Sequence, residues 1–163
     1  MVQPEKAITE EVVWELLREV KDPEIPSISM VEMGMIHRVL VTAESIRVDV
    51  LPTFVGCPAI EMMRKAIIQQ LQTLEEVPAI QVHFVFNPHW TSDRISEEGR
   101  EKLKSFGIAP PPRNHQPGDP WVVDCPYCGS PYTTLDNLFG PTACRSILYC
   151  KHCKNPFEAL KPV

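Results

Sequence analysis

The sequence lacks any apolar run near the ~20 residues that a membrane-spanning helix needs, so no membrane partner is expected. It also lacks an excess of basic charge: 16 Lys and Arg face 21 Asp and Glu, a formal net charge of −5. That balance is −6 over residues 1–107 (11 basic, 17 acidic) and +1 over residues 108–163 (5 basic, 4 acidic). Neither part offers the basic surface that neutralises phosphates, which argues against a nucleic-acid partner. The opening residues Met1-Val2-Gln3-Pro4-Glu5-Lys6 show no basic-then-apolar pattern of a secretory leader, and a cytoplasmic location is expected. There is no internal repeat. No local Ser–His–Asp or Cys–His motif marks a nucleophilic enzyme.

What is present is enough apolar residue for a core, 44% of 163, together with 17 prolines and six cysteines. Residues 9–20 read as an amphipathic helix that Thr9 can cap, with Val12, Val13, Leu16, Leu17 and Val20 on one stripe. Pro23 and Pro26 forbid its continuation. Strands are expected at 37–42 and 45–51, the second from the alternation of Ile46, Val48 and Val50 with Arg47 and Asp49. A helix over 58–76 follows, with Pro58 suited to its first position, and then a strand from Ile80 to Phe86. The spacing predicts a last helix from Ser96 to Gly107 with Leu103 and Phe106 turned inward. The fold class is therefore α+β: a small mixed sheet packed with helices in the order helix–strand–strand–helix–strand, its second and third strands parallel.

Composition shifts at residue 108. Residues 108–120 hold five prolines and read as an extended spacer between a 1–107 domain and a 121–163 module too small to bury a core unaided. Cys125-Pro126-Tyr127-Cys128 and Cys150-Lys151-His152-Cys153 supply two Cys-x-x-Cys turns separated by 21 residues, room for two or three short strands. Two such turns aim four thiolates at one point, the tetrahedral set of a structural Zn²⁺, so a zinc ribbon is expected; four thiolates also hold a single iron, as in an electron carrier. Cys144 stands outside these pairs and is left out of the ligand set, as is His152 on the second turn.

Cys57 falls after a strand and directly before a helix, where free N–H groups and the helix dipole would lower its pKa; the competing reading is a small buried hydrophobe. By residue type alone, Asp22 and Glu24 read as solvated carboxylates at a helix stop, and Thr53 as a turn or capping hydroxyl. His89 and Trp90 are assigned a structural role.

Three segments change that weighting. Asp22-Pro23-Glu24-Ile25-Pro26, Glu32-Met33-Gly34-Met35-Ile36 and Leu51-Pro52-Thr53-Phe54-Val55-Gly56-Cys57-Pro58-Ala59 resemble the domain of iron–sulfur assembly factors of the SufT and cytosolic targeting types. The run from Trp90 to Leu103, then Phe106-Gly107-Ile108-Ala109-Pro110-Pro111 and the terminal ribbon, resembles the PaaD (PaaJ) family of phenylacetate-degradation proteins. The resemblance implies a non-catalytic accessory of the multicomponent phenylacetyl-CoA epoxidase, a di-iron oxygenase, with the iron–sulfur reductase as a partner. It implies a functional site at Cys57, Asp22 and Glu24, with Thr53 in the same motif. There Cys57 would be a transient ligand of iron or an iron–sulfur cluster, and the carboxylates would orient it or add oxygen ligands. One cysteine cannot fill a cluster's coordination, so a homodimer pooling Cys57 is part of this expectation. The alternatives are an iron-binding electron carrier and a purely structural scaffold of the oxygenase.

Overall fold

The computed structural model describes residues 7–163, and the Met1–Lys6 stretch lies outside the described residues. Helix α1 (Glu10–Leu17) leads into strands β1 (Ile36–Val41) and β2 (Ser45–Val50), helix α2 (Ile60–Leu71) and strand β3 (Ala79–Phe84). A single 3-10 turn at Ser92–Arg94 precedes helix α3 (Glu97–Ser105). Four further strands follow: β4 (Ile108–Ala109), β5 (Thr133–Asn137), β6 (Arg145–Cys150) and β7 (Pro156–Leu160). The first sheet runs β1-β2-β3, with β1–β2 antiparallel and β2–β3 parallel. This is the mixed α+β arrangement that the periodicity predicts.

The helices form where caps and apolar stripes coincide. Thr9 accepts a hydrogen bond from the Val12 N–H, and α1 buries Val13 and Leu17. Ser96 likewise caps α3 by accepting from the Gly99 N–H. Helix α2 buries Met63, Ile67 and Leu71 against the same core as Ile46, Val48 and Val50. It starts at Ile60 and not at Pro58, because two successive turns intervene: Cys57 N–H donates to Phe54 O at 3.2 Å, and Ile60 N–H to Cys57 O at 3.4 Å. The first of these turns needs Gly56, whose φ is +84°. Phe106 is 49% exposed, so only Leu103 of the expected pair turns inward.

Asp49 also departs from the simple alternation. It is 1% exposed although its neighbours in the pattern predict a solvent face. Arg38 Nη2 and Arg47 Nε cover it at 2.9 and 2.8 Å, and their bonds offset the cost of burying a carboxylate. They hold its pKa below the usual carboxylate value even though burial pushes the other way.

The second sheet runs β4-β7-β6-β5, and its first strand corrects the expected spacer. Ile108 and Ala109 are buried and pair in parallel with Glu158 and Ala159 of β7, so the extended segment begins only at Pro110. Prolines have no N–H to give, but their carbonyls accept: Arg100 Nη1 donates to Pro111 O at 2.6 Å. Asn114 N–H donates to Asp93 Oδ1 at 2.8 Å, and Arg113 pairs with Glu97. The proline-rich segment is thus strapped along α3. Ile108 and Leu160 belong to the first unit's core, and Ser92 N–H donates to Val163 O at 3.0 Å.

The connection between α1 and β1 knits the first unit together. Ser29 N–H donates to Glu32 Oε2 at 2.8 Å while Glu32 N–H donates to Ser29 Oγ at 3.1 Å, a reciprocal capping box. Trp90 Nε1 donates to Met33 O at 2.8 Å and Arg94 Nε to Gly34 O at 2.8 Å. Gly34 has φ +67°, and a Cβ there would stand 2.3 Å from Arg94 O. We expect Gly34→Ala to destabilise the fold by about 1–3 kcal/mol through overpacking and backbone strain, read from the urea midpoint. A variant as stable as the parent would show that the Gly34–Arg94 approach is not kept in solution.

Candidate functional site

The loop after α1 is shaped by its own carboxylate. Asp22 N–H donates to Ile28 O at 2.9 Å, and Asp22 Oδ1 accepts from the N–H groups of Glu24 and Ile25 at 2.8 and 2.9 Å. Asp22 is 9% exposed, and burial raises its pKa although these two N–H bonds and the charge of Arg145 oppose the shift. Among the described residues, its second carboxylate oxygen has no hydrogen-bond partner. Pro23, Glu24 and Ile25 continue the loop and form one wall of a small recess.

Thr53, Cys57 and Ala59 from the β2–α2 connection line it as well, together with Met33, Met35 and Met63. The four residues expected at the site, Asp22, Glu24, Thr53 and Cys57, therefore do come together around one recess. Its free space is about 10 Å³, the room of a single water-sized occupant. Thr53 is half-buried, and its hydroxyl makes no hydrogen bond among the described residues, so the expected capping role is not seen.

Sequence reasoning did not place Cys144 here. It lies between β5 and β6, 120 positions from Glu24 in the chain, and lines the same recess. Its Sγ stands 3.9 Å from Glu24 Oε2 and 3.2 Å from Thr142 Oγ1. Its side chain packs against the first unit's core and not against the core of the second sheet. No local signal could have found it, because the contact exists only after the second sheet docks.

The electrostatics reverse one expectation. Burial raises the Cys57 pKa, a hydrogen bond from the Ala59 backbone pulls it down, and the charges of Glu24 and Asp22 raise it further. The predicted lowering by an N–H near the start of α2 is present in the Ala59 bond, but burial and the two carboxylates outweigh it. Cys144 is also pushed up, chiefly by burial and also by Glu24 and Asp22. Two protonated thiols beside two carboxylates are a poor resting nucleophile. A soft cation that neutralises the carboxylates can displace the thiol protons.

The second centre is the four-cysteine set. Cys125, Cys128, Cys150 and Cys153 have Sγ atoms within 4.8 Å of one another, and no other such group occurs among the described residues. Two matching turns build it. Gly129 N–H donates to Cys125 O at 2.8 Å and Lys154 N–H to Cys150 O at 3.0 Å, and both Gly129 and Lys154 have positive φ. Cys125 and Cys153 sulfurs are 3.8 Å apart, and Cys128 and Cys150 sulfurs 3.6 Å. A regular tetrahedron with metal–sulfur bonds of ~2.3 Å has edges of ~3.8 Å, so the donor set fits a tetrahedral thiophilic ion. The clustered thiols titrate together. Burial works against the Cys153 thiolate, yet Asn155 and the neighbouring thiols bring its pKa down to about 6, while burial pushes Cys125 up and hydrogen bonds with the other thiols push Cys128 up to about 12. His152 is exposed on its turn.

The chain was compared with known proteins. Residues 10–83 match a family model described as an iron–sulfur cluster assembly protein, and residues 109–161 match one described as the PaaD zinc beta ribbon domain. The sequence is 37% identical over 153 residues to a protein of Escherichia coli K12 named as a subunit of a "Putative 1,2-phenylacetyl-CoA epoxidase", covering 91% of this chain and 90% of that one. It is 31% identical over 96 residues to the "Fe-S protein maturation auxiliary factor" of Porphyromonas gingivalis, covering 58% of this chain and 90% of the relative. Among solved structures, the DUF59 domain from Bacillus anthracis superposes with a TM-score of 0.55 at 27% identity, covering 58% of this chain and 90% of that chain. No helix of the described residues is long and apolar enough to cross a membrane.

Stripping the metal with a chelator is expected to raise amide hydrogen exchange across β5–β7, where few large side chains are buried, while α1–β3 stays protected. Unaltered exchange in β5–β7 of the metal-free protein would show that the ribbon does not depend on the ion.

Proposed function

The chain belongs to the PaaD family, and on that premise we propose that it is a non-catalytic, cytoplasmic accessory factor that helps supply iron or an iron–sulfur cluster to the multicomponent phenylacetyl-CoA epoxidase. Its client is the iron–sulfur reductase component or the metal centre of that oxygenase. The observation that carries this reading is the recess itself, in which a thiol, Cys57, and two carboxylates, Asp22 and Glu24, meet on the part that matches iron–sulfur assembly proteins.

Cys57 holds the cargo through sulfur, and Glu24 adds an oxygen donor or orients the incoming ion. Asp22 acts first on the backbone: by accepting two N–H bonds it keeps the Pro23–Ile25 wall in place. Thr53 lines the recess with a hydroxyl free to meet a polar cargo. Cys57 offers one sulfur of its own segment where the ribbon offers four clustered ones, so it holds a cation less tightly, which suits transfer better than storage. The ribbon is a separate, permanent site: Cys125, Cys128, Cys150 and Cys153 hold a structural Zn²⁺ and give the second sheet a fixed surface for the epoxidase partner.

In cells whose only copy carries Cys57→Ser, epoxidase activity and the iron–sulfur content of the purified reductase should fall by about tenfold or more, as befits loss of a metal ligand. The variant should keep the parent's thermal unfolding midpoint. Full maturation of the reductase and its oxygenase by Cys57→Ser would discard the reading. The aerobically purified chain should contain one zinc and no visible absorption, because Zn²⁺ has no d-electron transitions. A thiolate-to-iron band would make the four-cysteine site that of an electron carrier instead.

A further inference from the structure

We propose that Cys144 is the second thiolate of the site at Cys57, so that the two units of one chain jointly hold a single thiophilic divalent cation, Fe(II) in its working form. This deepens the accessory reading and rests on it. The inference starts from placement. Cys144 turns away from the ribbon's sulfurs and packs on the first unit's core. Its backbone is pinned there, since Lys161 N–H donates to Cys144 O at 2.8 Å. Arg145, 8% exposed, fixes the next position through Thr142 Oγ1 at 2.9 Å and Glu158 Oε2 at 2.6 Å.

The donor set then counts to four. Cys57 and Cys144 supply sulfur, Glu24 stands 3.9 Å from the Cys144 Sγ, and Asp22, nine-tenths buried, lines the same space. Two thiolates and two carboxylates complete a tetrahedral ion without a second chain, which removes the need to pool Cys57 in a homodimer. The mixture of soft and hard donors suits Fe(II) or Co(II) more than Ca²⁺ or Mg²⁺. Size argues the same way, because free space of about 10 Å³ admits one ion and not a preassembled cluster. No three of these four donors have ligand atoms within 4.8 Å of one another, so the ion has to gather them. Cys57 and Glu24 sit half-buried on irregular loops, where a change of rotamer does not disturb a helix or strand. On binding, the two thiols lose their protons to solvent and no electron is transferred.

The test uses the full chain with zinc in the ribbon, titrated with Co²⁺ under anaerobic conditions as a coloured stand-in for Fe(II). A thiolate-to-cobalt band should saturate at one equivalent, fall to about half in Cys144→Ser and in Cys57→Ser, and vanish in the double variant. Zinc content and the unfolding midpoint of each variant check that the fold is intact. In the parent protein, Co²⁺ should also slow alkylation of both Cys57 and Cys144, a readout that needs no variant. A full-strength band in Cys144→Ser, or protection of Cys57 alone, overturns the role of Cys144 and leaves the accessory reading standing. No band in the parent protein overturns the mononuclear site, while the accessory reading is decided separately by maturation in cells carrying Cys57→Ser.

Discussion

Ile108 and Ala109 leave α3 and pair in parallel with Glu158 and Ala159, and through that short ladder the ribbon is fixed to the first unit. Ile108 and Leu160 enter the first unit's core, and the chain's last residue accepts a hydrogen bond from Ser92. A proline-rich segment between two modules would ordinarily leave them free to move. Here the excursion from Pro110 onward is bounded at both ends by the same sheet, and Arg100 holds its first turn through Pro111. The presence of Cys144 in the recess depends on this docking, because it alone among the lining residues belongs to the second unit.

Low polarity around the recess gives it a particular chemistry. Methionines line it, burial raises both thiols and Asp22, and the carboxylates raise the thiols further. The resting pocket therefore favours the protonated thiols over free thiolates. The ribbon differs in geometry. Its four sulfurs lie within 4.8 Å of one another, held by two turns that repeat the same hydrogen bond and place a positive-φ residue, Gly129 or Lys154, at the same position.

Much of the fold was legible because local signals agreed. Thr9 and Ser96 cap the helices they precede, and Ile46, Val48 and Val50 face the core as their alternation indicated. The errors have local causes too. Proline at position 58 suits a first helical turn, but the Gly56 turn consumed the next residues and delayed α2 to Ile60. Asp49 alternates like a solvent-facing residue, yet Arg38 from the neighbouring strand and Arg47 fold over it. Residues 108–109 read as spacer because a two-residue strand has no periodicity to detect.

The metal tetrahedron was determined by sequence alone, since two residues between paired cysteines dictate a turn whatever surrounds it. The Asp22–Glu24 loop and the Cys57 turn were also marked by their prolines and glycine. That they share a recess, that the Cys57 pKa is pushed up and not down, and that Cys144 joins them were decided only by tertiary structure. Each is a consequence of burial and of charges brought close by packing, and neither dielectric nor distance between remote segments is encoded in any local spacing of residues.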